Sequence, residues 1–221
     1  MTNEFPKTAQ NRVRRMPDRG AYDKATIYPI VDSALICHVG LVEETGQPVV
    51  IPTLHARHGD EVLLHGATTS RLLKYAATGA PLCITVTHID GLVLARSVFH
   101  HSINYRSAVL FGRGRLIEGE TEKMAALAAF TEKLIPGRWA DARMPTALEL
   151  KATAVIAMPI ESASAKVRTG PPKDDEEDYA LDVWAGIVPI QQHFGMPAAD
   201  PLLRDEVAVP DYVRALSAPS L

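Results

Sequence analysis

Residues 66–71 combine three hydroxyl side chains with an arginine, directly after a strand-like run at residues 61–65. A helical pattern begins at Arg71. The start of a helix attracts anions because it offers free backbone N–H groups and the positive end of the helix dipole, and a guanidinium can add a two-pronged contact. A hydroxyl at this place is also the ordinary cap of any helix. Two interpretations therefore remain open for Thr68, Thr69, Ser70 and Arg71: a phosphate-binding site or a plain helix cap.

A second polar cluster lies at residues 100–107, between two apolar, strand-like runs. It contains two adjacent histidines, two serines, an asparagine, a tyrosine and an arginine. This density of polar groups fits either a long surface loop or a segment that binds a ligand, and the residue types alone leave both possibilities open.

Three histidines close together, His55, His58 and His65, raise the question of a metal site. No carboxylate or cysteine stands at a zinc-like spacing from them, and the pattern His-Glu-x-x-His is absent. The pattern Gly-x-Ser-x-Gly is also absent, and no serine or cysteine has the context of an activated nucleophile. We therefore expect no metal site, and any redox chemistry would belong to a bound cofactor.

The remaining patterns predict many short strands and a few helices. Residues 49–51 and 61–65 are predicted to form a hairpin, and Asp90-Gly91 is predicted to be the two-residue turn of another. Helices are expected over residues 20–33, capped by Asp18, and over 120–134, with a capping box at Thr146–Glu149. The pattern favours a mainly antiparallel β-barrel with helices, while the absence of a Gly-x-Gly-x-x-Gly turn disfavours a Rossmann fold.

The bulk properties indicate an ordinary globular chain of one domain. It has 221 residues, of which 47% are hydrophobic and 22% charged, with a net charge of -3. This charge gives no support for nucleic-acid binding, no apolar run reaches the ~20 residues of a membrane span, and the N-terminus lacks the apolar segment of a secretory signal. Cys37 and Cys83 lie in apolar runs and are expected to be buried. A cytoplasmic protein without membrane contact is the expectation.

Several segments together resemble the FMN-binding split-barrel superfamily. The matching segments are Val50-Ile51-Pro52-Thr53, residues 59–66, Ser70-Arg71, residues 100–107, and Val183-Trp184-Ala185-Gly186. Within that superfamily the chain is most similar to flavin-nucleotide-binding proteins related to pyridoxamine 5'-phosphate oxidase and to the nitroimidazole-resistance proteins. The resemblance implies a mainly β fold with helices (α+β), an antiparallel split β-barrel that forms a homodimer. It also implies a single domain over residues 1–221, with a peripheral leader (1–13) and tail (193–221).

The resemblance further implies FMN as the cofactor, bound at the interface between the two subunits. The implied cofactor-binding residues are Thr53, Leu54, His55, His65, Thr68, Thr69, Ser70, Arg71, Ser102, Asn104, Tyr105, Arg106, Lys166, Arg168 and Trp184. The last three would reach the flavin of the other subunit, although Trp184 fits a core or interface aromatic equally well. His65, His100 and His101 are the candidates for a catalytic role beside the substrate.

The function that this resemblance implies is an FMN-dependent oxidoreductase that exchanges electrons or hydride with a small molecule. Oxidation of pyridoxamine phosphate itself is disfavoured, because Leu72 occupies the position after Ser70-Arg71 where that enzyme family carries a lysine. The alternative from a different class is a flavin- or haem-binding protein of the same fold without turnover.

Overall fold

The computed structural model describes residues 3–217 and shows an α+β fold dominated by antiparallel sheets. The strands are β1 (Gly20–Ala21), β2 (Ile36–Val42), β3 (Pro48–Leu54), β4 (Ala56–His58), β5 (Glu61–Ala67), β6 (Pro81–Leu94), β7 (Ser102–Arg113), β8 (Arg115–Leu116), β9 (Thr153–Pro159), β10 (Ser162–Arg168) and β11 (Gly186–Pro189). The helices are α1 (Lys24–Ser33), α2 (Arg71–Ala77), α3 (Glu120–Leu134), α4 (Arg138–Asp141), α5 (Ala147–Ala152) and α6 (Asp211–Leu216).

Two sheets share one hydrophobic core. The larger sheet has the order β1-β10-β7-β6-β2-β3, with β11 added to β6, and the smaller has the order β4-β5-β9-β8. Val39, Ile84 and Leu110 of the large sheet pack in one cluster with Leu64 and Ile156 of the small sheet. Alternate residues along these strands point away from that cluster, as the two-residue period of a strand requires. The other face of the small sheet is covered by α3 in a second, smaller cluster.

The predicted turn at Asp90-Gly91 is wrong. β6 continues through both residues, and the register with β7 shifts there, between Ile89 and Gly91. β11 lies against the same place, where a Cβ on Gly91 would stand 2.9 Å from the backbone oxygen of Val188. The Asp-Gly pair therefore marks a bulge and a close approach of another strand, which use the same residue types as a turn.

The hairpin predicted from residues 49–51 and 61–65 is also wrong, although both segments are strands. β3 pairs with β2 in the large sheet, whereas β5 pairs with β4 and β9 in the small sheet. The chain crosses from one sheet to the other at His55. Strand pairing over this distance depends on tertiary packing, which the local pattern does not contain.

The helix predictions succeed where local signals are strong. α3 spans residues 120–134 as predicted, and the capping box at the start of α5 is present. α1 begins later than predicted, at Lys24, because Asp23 rather than Asp18 caps it. Asp18 instead lies in a short 3-10 turn, Pro17–Arg19.

The remaining expectations concern the cysteines, the tail and the membrane. Cys37 is buried and Cys83 is half-buried, and neither forms a disulfide. Residues 187–208, before and within the tail, are exposed. In α6, Tyr212 is hydrogen-bonded to Arg138 and Asp141. Residues 1–2 of the leader and 218–221 of the tail lie outside the described residues. Among residues 3–217, every helix is too short or too polar to cross a membrane.

Candidate functional site

The start of α2 carries the exposed hydroxyls and the guanidinium that the sequence predicts. Ser70 caps the helix by accepting a hydrogen bond from the Leu73 N–H at 3.5 Å, while Thr68 and Thr69 remain exposed. Arg71 is exposed, and its Nη1 donates to Oε1 of Glu43 at 2.8 Å. The structure therefore assigns Ser70 the role of cap, and an anion at this helix start would compete with Glu43 for Arg71.

His65 lies at the wall of a cavity of about 330 Å³ between β5, α3 and the α4–α5 segment. Its ring packs against Phe130 with 4.2 Å between the ring centroids, and Trp139 and Arg143 line the same cavity. Burial lowers the pKa of His65, so the imidazole is neutral at neutral pH. Its Nδ1 is buried without a hydrogen-bond partner. The predicted catalytic candidate is thus a neutral imidazole beside a small, partly aromatic cavity.

Thr53, Leu54 and His55 form the crossing between the two sheets. Thr53 and Leu54 are half-buried at the end of β3, paired with Cys37 and Ile36. His55 is buried, and its Nε2 lies 2.9 Å from the Val31 carbonyl oxygen and 2.9 Å from Nζ of Lys133. The His55 side chain is therefore enclosed within this chain, and the cofactor contact that the resemblance implies for this residue stays a prediction that concerns its backbone.

A groove of about 800 Å³ lies at the start of β7 and the end of β10 and is called here the basic groove. The register places Arg168 opposite Tyr105 and Lys166 opposite Ser107, so that two segments far apart in the chain meet at this place. Six of the residues predicted from the sequence line the groove. They are His100, His101, Ser102, Tyr105, Lys166 and Arg168.

Three further cations line the basic groove and are absent from the residues predicted for the site. They are Arg15, Arg19 and Lys173. Arg15 belongs to the arginine-rich segment 12–15, whose arginines at positions 12, 14 and 15 are the signal that could have indicated an anion site. The groove thus holds five Lys or Arg side chains, and no aspartate or glutamate is among its lining residues. Such an arrangement attracts an anionic ligand.

Arg168 places a buried guanidinium in the groove. The residue is 8% exposed, and its hydrogen bonds go to neutral acceptors: the side-chain oxygen of Asn104 and the carbonyl oxygens of Gly170 and Pro171. Its Nε has no partner. Burial and the nearby Arg19 lower the pKa of Arg168 from its ordinary value. A buried cation without an opposite charge is costly, so an anion in the groove would stabilise it.

Asn104 and Arg106 have structural partners, whereas Trp184 is exposed. Asn104 is buried and holds Arg168 and the Gly170 carbonyl. Arg106 makes a two-pronged ion pair with Asp90, at 2.8 and 3.0 Å. Trp184 is 66% exposed beside Gly186, outside the core.

The two predicted clusters lie at opposite ends of the large sheet. Arg113, at the far end of β7, donates to the Gly79 carbonyl just after α2, and Glu43 follows the end of β2 on the same side. Tyr105, in the basic groove, precedes Arg113 by eight residues, which at about 3.3 Å per residue separates them by about 26 Å. Within one chain, therefore, the helix start and the basic groove do not form a single compact site.

One cluster with metal-ligand residue types is present although the sequence predicted no metal site. His100, Asp175 and Asp178 each place one possible ligand atom within 4.8 Å of the others. His100 and Asp175 already form an exposed hydrogen-bonded pair at 3.2 Å, which accounts for their proximity. His55 and His65 do not form a joint metal site, because His55 contacts Val31 and Lys133 whereas His65 packs against Phe130.

Comparisons with known proteins agree with this architecture. A family model described as pyridoxamine 5'-phosphate oxidase matches residues 23–167. The flavocytochrome Anf3 from Azotobacter vinelandii is 41% identical, with a TM-score of 0.89 over 95% of this chain and 97% of that one. The FAD and heme binding protein from Mycobacterium smegmatis is 37% identical, with a TM-score of 0.86 over 90% of this chain and 97% of that one.

A more distant structure shares the fold alone. A putative 5-nitroimidazole antibiotic resistance protein from Bacteroides thetaiotaomicron is 24% identical, with a TM-score of 0.58 over 67% of this chain and 86% of that one. Among curated proteins, none matches the chain. The similarity to the flavocytochrome and to the FAD and heme binding protein supports flavin binding.

Proposed function

The chain belongs to the pyridoxamine 5'-phosphate oxidase family, and from this we propose that it is a homodimeric, flavin-binding redox protein with a split β-barrel fold. Each flavin would lie at the seam between two protomers. A bound flavin supplies reversible electron and hydride transfer, so the chain need only bind it, orient it and admit a small redox partner.

The observation that carries this proposal is the separation of the two anion-binding clusters. The hydroxyls and Arg71 at the start of α2 suit a flavin phosphate, and the basic groove suits a second anionic group, yet they lie at opposite ends of the large sheet. If two protomers associate with their large sheets running in opposite directions, the basic groove of one chain lies beside the start of α2 of the other. Two composite sites per dimer would result.

The outer face of the large sheet supports the dimer. Ile36, Val42, Val50 and Ile89 lie on the side away from the core and are 43%, 54%, 63% and 50% exposed. Exposed large apolar side chains on one face of a sheet are typical of an interaction surface. Because twofold interfaces are self-complementary, a second copy of the chain is the partner we propose.

We propose FAD as the flavin, in place of the FMN expected from the sequence. One relative of 37% identity is described as binding FAD and heme. The basic groove also supplies more cations than one phosphate requires, which suits the pyrophosphate of a dinucleotide or another ligand with two anionic groups. FMN would be accommodated by the helix start alone.

His65 is proposed to face the small redox partner. A neutral imidazole beside an apolar wall can accept a hydrogen bond or a proton from a bound molecule, and Phe130 and Trp139 can cover a planar one. The pKa of His65, lowered by burial, makes it a weak proton acceptor. Its contribution would therefore be positioning more than proton transfer.

The proposal is tested first by the absorption spectrum of the purified protein and by mass spectrometry of the cofactor released on denaturation. We expect the two flavin bands and FAD in the released fraction. Released FMN would overturn the choice of dinucleotide, and a colourless chain that takes up neither flavin would overturn flavin binding.

Turnover is tested separately with NADH or NADPH as donor and quinones or nitro-compounds as acceptors. A flavin-loaded protein without any turnover would favour the alternative of a flavin-binding protein that catalyses no reaction.

The dimer is tested by Val50→Glu, with Leu148→Glu as the matched control. Both side chains are well exposed, at 63% and 77%, so neither change should cost much folding stability. Leu148 lies on α5, away from the sheet face. We expect Val50→Glu to shift the protein to monomer in light scattering and to release flavin, and Leu148→Glu to do neither. A dimer that survives Val50→Glu with its flavin bound would contradict the interface.

A further inference from the structure

A long segment before α6 has the composition of a folded element and yet lies exposed. Residues 191–208 contain no helix or strand, and every one of them is exposed. Eight of these 18 residues are apolar in type, a share close to the 47% of the whole chain. Loops longer than about 12–15 residues are usually either functional or disordered, and disordered linkers are poor in apolar residues. This segment, called here the strap, therefore suits packing on another surface.

Both ends of the strap are fixed to the chain itself. At its start, the Ile190 N–H donates to the Asp90 carbonyl oxygen at 3.1 Å. At its end, Tyr212 of α6 donates from Oη to Oδ2 of Asp141 at 2.5 Å, and Arg138 of α4 donates to the same Oη at 3.0 Å. The strap thus connects the large sheet to α4 and is not a free tail.

Between these two anchors the strap makes no hydrogen bond or ion pair to the rest of residues 3–217. Its hydrogen bonds, and its ion pair between Arg204 and Glu206 at 3.6 Å, all join residues of the strap itself. Met196 and Leu202 are 86% and 92% exposed. Ordering a segment costs backbone entropy, and apolar burial is the main term that offsets this cost. For the strap, that burial has to come from a surface outside this chain.

The start of the strap continues the exposed apolar face of the large sheet. In the register of β6, Leu92 lies opposite Ile103 of β7 and Val188 of β11. These three side chains are exposed on the same face as Ile89, and Ile190 follows two residues after Val188. This is the face that the proposed dimer covers. A surface that covers it also reaches the first residues of the strap, so a second copy of the chain is the partner that the strap fits.

We propose that the strap packs on the second protomer of the dimer, over the end of its large sheet that carries α2. The strap leaves its own chain at Asp90, whose carboxylate is paired with Arg106, next to Tyr105 of the basic groove. In the proposed dimer this end of one sheet lies beside the start of α2 of the other. Such packing rests on the proposed function, because it requires that dimer, and it lets each protomer cover the flavin that it shares with its partner.

The first experiment uses trypsin, because Arg204 is the only lysine or arginine in the strap. The Arg204 side chain is exposed in the single chain, so cleavage after it should be fast there. The flavin-loaded protein is digested over a dilution series from mostly dimer to mostly monomer, with Val50→Glu as the monomeric reference, and the fragments are identified by mass spectrometry. We expect this cleavage to slow at least about tenfold as the dimer forms and to stay fast in Val50→Glu.

The second experiment compares Leu202→Asp with the matched control Leu148→Asp. The dissociation constant of each dimer is measured by light scattering over the same dilution series. Both side chains are exposed in the single chain, so neither change should affect folding. Leu202→Asp should weaken the dimer about tenfold or more, because it replaces a leucine buried between protomers with a charge, and Leu148→Asp should leave it unchanged.

Cleavage after Arg204 at the same rate in monomer and dimer would overturn the proposal. Protection in a Val50→Glu protein that light scattering shows to be monomeric would also overturn it, since the strap would then pack on its own chain, and so would an unchanged dimer in Leu202→Asp. In each of these cases a flavin-loaded dimer leaves the proposed function standing. A wild-type chain that is monomeric at every concentration would overturn both, whereas a protected strap in a dimer that takes up no flavin would refute flavin binding alone.

Discussion

Opposite effects on flavin affinity are expected from the two members of the Arg71–Glu43 ion pair. Arg71→Gln removes the guanidinium proposed to hold the flavin phosphate. A charge-assisted hydrogen bond is worth about 1.5–3 kcal/mol, and the low end applies because the Arg71 side chain is 63% exposed. A loss of about 1.5 kcal/mol weakens flavin binding about tenfold.

Glu43→Gln should act in the other direction. It removes the carboxylate that competes with the phosphate for Arg71, at 2.8 Å. An exposed ion pair of this kind is worth about 0–1 kcal/mol, so the flavin affinity should rise by at most about fivefold. The two substitutions should have little other effect on the fold, because Arg71 is exposed and Glu43 is a half-buried residue of a surface turn.

The assay is a titration of cofactor-free protein into FMN and FAD at two salt concentrations, followed by flavin fluorescence. The effect of Arg71→Gln should shrink at high salt, since the contact is electrostatic. An unchanged dissociation constant in Arg71→Gln would refute the phosphate site at α2. A weaker flavin complex in Glu43→Gln would refute the competition between carboxylate and phosphate.

Two further predictions concern stability. Burial, together with Lys133, lowers the pKa of His55 from 6.5 to about 4. Between these two pH values His55 is protonated in the unfolded chain and neutral in the folded chain. The free energy of unfolding should therefore fall by about 3 kcal/mol as the pH drops from 6.5 to 4. Urea unfolding at stepped pH measures this, and an equal slope in His55→Gln would contradict it. Gly91→Ala should cost about 1–3 kcal/mol because the new Cβ would stand 2.9 Å from the backbone oxygen of Val188. The matched control is Gly195→Ala, which should be nearly neutral in thermal unfolding because a Cβ there meets nothing within 4 Å.

Local signals in the sequence were sufficient for several elements. The helical spacing of apolar residues and the Pro136-Gly137 pair that ends the helix predict α3. Ser70 and Thr146 cap the helices α2 and α5 that follow them. These features depend on residues within one or two turns of each other, which the sequence displays directly. The order of strand and helix around residues 61–77 was predictable for the same reason.

Pairing over long distances was not predictable in this way. Asp90-Gly91 has the composition of a turn, but β11, almost a hundred residues later, lies against Gly91 and keeps the strand extended. The basic groove likewise depends on β10 pairing with β7, which brings Lys166 and Arg168 to the polar cluster, and on the short 3-10 turn Pro17–Arg19, which adds Arg19. The residue types of the basic groove are visible in the sequence, whereas the proximity of these residues in space depends on the tertiary fold.

The most direct test of a flavin held between two protomers is size-exclusion chromatography with light scattering and flavin absorbance recorded together. We expect the flavin to co-elute with a particle of twice the 24.0 kDa chain mass, at one flavin per chain. Flavin that co-elutes in full with a monomer, or a dimer that carries none after incubation with FAD and FMN, would contradict it.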